Sequence, residues 1–199
     1  MRRVMTAQTA FRSEETFTQK EFRRWLDERP RSDINHYELL NGRIVMTPPA
    51  TWPHGGVEAT LVRLIGERVE RLKLGIVLGS STGYDLPSGD TVEPDVSYIS
   101  VNRLAAGPAP QPGQFIRIVP TLVVEILSPS TSKRDQTEKK VIYERNGVDE
   151  YWIVDPRAKA VTVFHRGERA YGDGQTFRGG TVRSRALPRL RLTIEKLFA

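Results

Sequence analysis

Cysteine is absent from the sequence, and histidine occurs three times in 199 residues. The first absence excludes a disulfide framework and a thiolate metal site, and His36, His54 and His165 are too few for a histidine-rich zinc centre. No apolar run approaches the ~20 residues that a membrane-spanning helix needs, and the opening Met1-Arg2-Arg3-Val4 is not followed by an apolar signal region. A cytoplasmic protein without membrane attachment is therefore expected. Internal repeats and low-complexity tracts are also missing, and no shift in composition marks a boundary. The expected organisation is a flexible N-terminal tail over 1–16 and a single domain over 17–199, long enough to bury a sizeable core.

What the chain has in excess is positive charge, +6 overall, and most of it lies near the C-terminus. From residue 166 onward, Arg166, Arg169, Arg178, Arg183, Arg185, Arg189, Arg191 and Lys196 face only Glu168, Asp173 and Glu195. Such a segment can neutralise phosphates and steer a polyanion toward the protein, and it can equally be a solvated strand face. Arg183, Arg185, Arg189 and Arg191 are the candidate nucleic-acid contacts.

Local signals place the elements. Thr18-Gln19-Lys20-Glu21 is a capping box with Phe17 and Phe22 as its staple, so a helix should run from Gln19 to about Glu28. Asn41-Gly42 between two apolar stretches predicts a hairpin that carries Glu38 on the face opposite Tyr37 and Leu39. Helical spacing of Val57, Leu61, Leu64, Ile65, Val69 and Leu72 predicts a long helix opened by His54 and stopped at Gly75. Strands are expected over Gly75 to Ser81 and Glu93 to Ile99, joined through Pro87-Ser88-Gly89-Asp90, and Arg103 to Gln114 reads as a mobile loop. Glu150 to Val154 and Lys159 to His165 form a second hairpin around Asp155-Pro156.

The stretch from Leu122 to Asp155 is the most informative. Leu122, Val123, Val124, Ile126 and Leu127 make the continuous apolar run of a strand covered on both faces, and Glu125 stands in its middle. An ionised carboxylate buried alone costs several kcal/mol, roughly, so Glu125 must be protonated, paired or holding a metal ion. Ser128-Pro129 ends the strand, and Ser130, Thr131 or Ser132 can cap the helix that follows. On that helix Asp135, Lys139, Ile142, Tyr143 and Asn146 share a stripe, which turns an acid and a lysine toward the interior. The alternative is an exposed Asp135/Lys139 pair at i,i+4.

Glu93-Pro94-Asp95-Val96, then Leu122 to Thr131, then Asp135 and Lys139 four apart, then Tyr143, Gly147-Val148 and Glu150 to Pro156, resemble the Uma-two family of restriction endonucleases, within the PD-(D/E)xK nuclease superfamily. The likeness extends upstream to Tyr37-Glu38-Leu39, Gly42 and His54. It implies an α/β (α+β) restriction-endonuclease-like domain, a central mixed sheet flanked by helices. One departure from the superfamily concerns its usual lysine, two residues beyond the glutamate, where this chain has Leu127. The family pattern resembles a migrated version in which Lys139 reaches the same space from the helix, with Lys140 the poorer candidate.

The resemblance implies a metal-dependent endonuclease hydrolysing phosphodiester bonds of nucleic acid, DNA above all. Asp95, Glu125 and the backbone carbonyl of Ile126 would hold Mg²⁺ or Mn²⁺, hard cations suited to oxygen ligands. Asp95, Glu125 and Lys139 form the implied catalytic set, with Glu38, His54, Asp135 and Tyr143 in support and a homodimer as the implied assembly for cutting two strands. Four residue-level alternatives stand beside this, the first being that Asp95, after Pro94, is a plain turn acid. Glu125 could be a structural pair with Lys139 or Arg145, Glu38 could pair across the hairpin with Arg43, and His54 could be a helix cap. Two functional alternatives are a binding protein that has lost turnover and a glycoside hydrolase using Asp95 and Glu125, which would leave Lys139 without a role.

Overall fold

A computed structural model describes residues 11–129, 131–168 and 170–199; Ser130, one of the three candidate caps, Arg169 of the basic segment and residues 1–10 of the expected tail lie outside them. The chain opens with α1 (Gln19–Asp27), where Thr18 accepts from the Glu21 amide and the Glu21 carboxylate returns to the Thr18 amide, both halves of the expected box. The hairpin β1 (His36–Leu40) and β2 (Arg43–Thr47) follows, turning through Asn41 and Gly42, both at positive φ. Residues 11–17, within and just after the stretch expected as a tail, run along it: Ser13 N donates to Ile44 O, Met46 N to Phe11 O and Phe17 N to Gly42 O.

After α2 (His54–Arg71) come β3 (Gly75–Gly79), the short pair β4 (Tyr84–Asp85) and β5 (Thr91–Val92), and β6 (Val96–Ser100). The strand expected from Glu93 thus begins three residues later. Pro94 has no N–H to place in a ladder, and Glu93 and Asp95 lie just ahead of the strand. The expected loop from Arg103 is also corrected at its start, because Val101–Ala106 forms α3, with the Ser100 side chain accepting from the Arg103 amide. The second half comprises β7 (Leu122–Ile126), β8 (Glu150–Asp155), β9 (Ala160–His165) and β10 (Gln175–Phe177). Between β7 and β8 the helix is α4 (Ser132–Arg134), a π turn (Asp135–Lys139) and α5 (Lys140–Arg145). Its N-cap is Thr131, whose side chain makes no capping bond and instead meets the Ser128 hydroxyl at 3.0 Å. A last turn, α6 (Ile194–Leu197), closes the chain.

The main sheet has the order β10-β9-β8-β7-β6-β3. Only β7 and β8 are parallel within it, since a parallel pair needs a crossover and the α4–α5 segment supplies it. A second sheet, β2-β1-β5-β4, packs over the same side as that crossover. Alternation along β7 divides the core. Leu122, Val124 and Ile126 join Val57, Leu61 and Ile65 of α2 and the C-terminal Leu187, Leu190 and Leu192 in one cluster. Val123 belongs to another, with Ile142 and Tyr143 of α5 and with Leu40 and Val45 of the small sheet. Glu125 points to this second side, so the carboxylate enters the space between the crossover and the two sheets. Among the described residues no helix is long and apolar enough to cross a membrane.

Candidate active site

Four separate segments deliver charged side chains to that space. Glu38 comes from β1, Asp95 from the turn before β6, Glu125 from β7, and Asp135 and Lys139 from the π turn; together with His54 at the start of α2 they line one cavity of about 330 Å³. Lys139, 2% exposed, is the hub. Its Nζ lies 2.5 Å from Glu125 Oε1 and 2.8 Å from Glu38 Oε1. The exposed i,i+4 pair is thereby excluded: Asp135 and Lys139 are both buried. A π turn at this point widens the helix by one residue, a distortion that recurs at functional sites.

Each remaining group is held from behind. Tyr143 Oη donates to Glu125 Oε1 at 2.6 Å, and the Glu93 amide donates to Glu38 Oε1 at 2.9 Å. Asp95 Oδ2 accepts from the Ile126 amide at 2.6 Å, which ties the turn before β6 to the end of β7. His54 Nε2 stands 3.3 Å from the same oxygen, while its Nδ1 is buried without a hydrogen-bond partner among the described residues. His54 is therefore turned into the site and does not cap α2, whose N-cap is Pro53. Arg145 pairs with Asp90 and Arg43 bonds to the carbonyls of Ser13 and Glu14, so neither takes the partner that a purely structural reading of Glu125 or Glu38 would give it. The Lys139–Glu125 pair is present. Lys140 points elsewhere, its Nζ 4.0 Å from the centre of the Phe164 ring.

Electrostatics follow from this crowding. Burial first, then the nearby Asp95, Asp135 and Glu38 charges, push the Glu125 carboxyl well above the usual carboxylate range against the pull of Lys139. Burial likewise raises Asp135, to about 6, although Lys139 and the Thr131 hydroxyl oppose the shift. Burial works against the Lys139 charge, but Glu125, Glu38 and Asp135 more than offset it and hold the ammonium above its ordinary value. The Glu125, Glu38 and Asp135 carboxylates thus surround one buried ammonium, and Asp95 adds a fourth acid to the same cavity.

Among the wall residues that sequence reasoning missed are Arg134, His36 and Glu93. Arg134 sets Nη2 2.7 Å from Thr47 Oγ1 and 3.9 Å from Glu38 Oε2, with its Nε buried and lacking a hydrogen-bond partner among the described residues. Its signal was adjacency to Asp135. His36 and Glu93 join at 2.9 Å on the cavity wall, and only their separate places beside Glu38 and Asp95 hinted at it. The Glu93 hydrogen bond lifts the His36 pKa above 6.5, burial opposing it. A histidine raised in the folded state stabilises fully below its unfolded value and loses that contribution as pH climbs through the folded one. Thermal denaturation of wild type and His36→Gln across pH should therefore show a gap that is widest below pH 6.5 and closes in alkali.

The arginines proposed from the sequence are not brought to this cavity. Arg183, Arg185, Arg189 and Arg191 are exposed on the segment that covers the α2 side of the main sheet. The Arg185 amide donates to Glu150 at the start of β8, whereas Glu125 is in register with Ile153 further along.

The family model described as "Putative restriction endonuclease", Uma2, matches residues 19–195. A crystal structure from Anabaena variabilis, of a protein titled "a putative nuclease belonging to DUF820", is similar at a TM-score of 0.76, covering 92% of this chain and 97% of that one at 21% identity. At that identity the likeness speaks for the fold. No curated protein matches the chain.

Proposed function

The chain belongs to the Uma2 family of restriction-endonuclease-like proteins, and from that premise we propose that it hydrolyses phosphodiester bonds of nucleic acid, DNA foremost, at the cavity around Lys139 with a divalent cation. The observation that carries this reading is the convergence of Glu38, Asp95, Glu125, Asp135 and Lys139 from distant segments onto one open cavity. A structural ion pair alone would need one carboxylate for one lysine. Three further buried or half-buried acids beside it cost folding free energy without packing any core.

The donors suit the cation. Asp95 and Glu125 offer hard oxygens, and the Ile126 carbonyl, at a residue that lines the same cavity, completes the proposed set. Mg²⁺ commonly binds through one or two carboxylates and keeps several waters, so these donors would leave the rest of its shell to solvent. What such an ion supplies when bound is Lewis acidity toward water and the scissile phosphate.

The protein's own groups do the rest. Lys139, fixed by Glu125 and Glu38, presents an ammonium that orients the attacking water and stabilises charge developing on the phosphate. Arg134 offers its guanidinium to a non-bridging oxygen, the kind of acceptor for which its planar fork is shaped. His54 holds Asp95, and Tyr143 holds Glu125. The exposed C-terminal arginines contribute at longer range. Replacing Arg183, Arg185, Arg189 and Arg191 together by glutamine should flatten the slope of log affinity against log salt, because fewer counterions are released. Single-turnover cleavage of bound substrate should stay unchanged in that variant, and an unchanged slope would place the phosphate contacts on another surface.

A further inference from the structure

The rim of the cavity is the segment Thr47-Pro48-Pro49-Ala50-Thr51-Trp52-Pro53. Thr47 to Thr51 line the cavity, and Trp52 stands just outside it, 85% exposed. No other large hydrophobic side chain among the described residues is as bare, Ile34 being next at 73%. An indole so placed forgoes the burial that makes aromatic residues core formers. It does not sit on a floppy tip. Three prolines in seven residues fix φ along the rim, and Arg134 ties Thr47 to the end of α4.

The ring also has a prepared seat. A Cβ added at Gly56 would come within 2.9 Å of Trp52 Cζ3, so the benzo edge of the indole rests against bare backbone on the first turn of α2. Two residues after Trp52, His54 reaches Asp95. A flat aromatic face thus stands beside the mouth of the cavity, on the side of α2 away from His54, on a rim with few donors, since its prolines have no N–H. Every nucleobase has a π face that can stack on such a ring, and in a duplex that face is already covered by its neighbours.

We propose that Trp52 is a stacking platform for one unpaired nucleobase of the strand as it leaves the cavity around Asp95 and Glu125, which makes single-stranded or locally unpaired nucleic acid the substrate class. This inference rests on the nuclease reading given above and narrows it.

The three tryptophans can be told apart, which makes the test direct. Trp152 is fully buried, and Trp25 is stacked with Phe22 and covered by Arg29, so an added strand can quench only Trp52 by stacking. The full chain in Ca²⁺, chosen to read binding apart from turnover in Mn²⁺, is titrated with oligothymidylate and with a blunt duplex of equal length. Tryptophan emission and oligonucleotide anisotropy are followed for wild type, Trp52→Ala and Trp52→Phe. Expected is quenching of wild type by the single strand, loss of that quench with about tenfold or greater weakening in Trp52→Ala, and retention of most affinity in Trp52→Phe. Duplex affinity should be equal in all three.

Equal weakening for single strand and duplex, or no weakening for either, overturns the platform. If such a protein still cleaves in Mn²⁺, the nuclease reading survives without it. Sedimentation that shows a dimer lost on Trp52→Ala in the absence of nucleic acid would also overturn the proposal, by assigning the ring to a second copy of the chain. Failure of every oligonucleotide to bind or be cut would remove both readings together.

Discussion

Asp95→Asn and Glu125→Gln are each expected to abolish calorimetrically detectable Mg²⁺ or Mn²⁺ binding and, with it, cleavage, a larger loss than the ~10²–10³-fold of removing one electrostatic contact. Both replacements keep volume and leave the supporting contacts possible. The carboxamide introduced in place of the Asp95 carboxylate would still offer an oxygen to the Ile126 amide, and the one introduced in place of Glu125 would still accept from Tyr143 and Lys139, the two groups that hold the carboxylate now. The fold should persist, and circular dichroism with a thermal midpoint near that of wild type would verify it. Unchanged metal affinity in both variants would return the two carboxylates to structural pairing.

Lys139→Ala should lower single-turnover cleavage by about 10²–10³-fold, while metal affinity stays level or rises. The rise follows from geometry: the ammonium 2.5 Å from Glu125 Oε1 competes with a cation for that oxygen. Removing one partner of a buried ion pair commonly costs about 3–5 kcal/mol. Here the cost is reduced, because Glu125 is already pushed well above the ordinary carboxylate range by burial and neighbouring acids and can take up a proton. Lys139→Met, closer in length, repeats the test should alanine depress the thermal midpoint. Lys140→Ala is the control, losing the same charge from the next residue, whose ammonium sits over Phe164 and away from the cavity. Equal losses in both variants would indicate general attraction of a polyanion.

Why some of this was legible in the sequence is a matter of range. Glu125 stood out because an apolar strand core tolerates an acid only with a partner, and Lys139 because four-residue spacing carried it inward with Asp135. The Thr18–Glu21 box and the Asn41-Gly42 turn are local chemistry, and both took the expected form. The other half of the small sheet was not legible, since β4 and β5 have two residues each, too few for alternation to show. Prolines and glycines from Gly107 onward obscured α3, although Ser100 was a readable cap. The π turn has no propensity signature. Arg134, His36 and Glu93 acquire meaning only through contacts across distant segments.

The most direct test is cleavage of single-stranded, duplex and branched DNA by the full chain under single-turnover conditions, in Mn²⁺ and in EDTA, beside Glu125→Gln. The account predicts strand scission by wild type in Mn²⁺, none in EDTA and none by the variant in either. Scission that persists in EDTA or in Glu125→Gln would contradict it, as would an intact panel with wild-type protein in Mn²⁺.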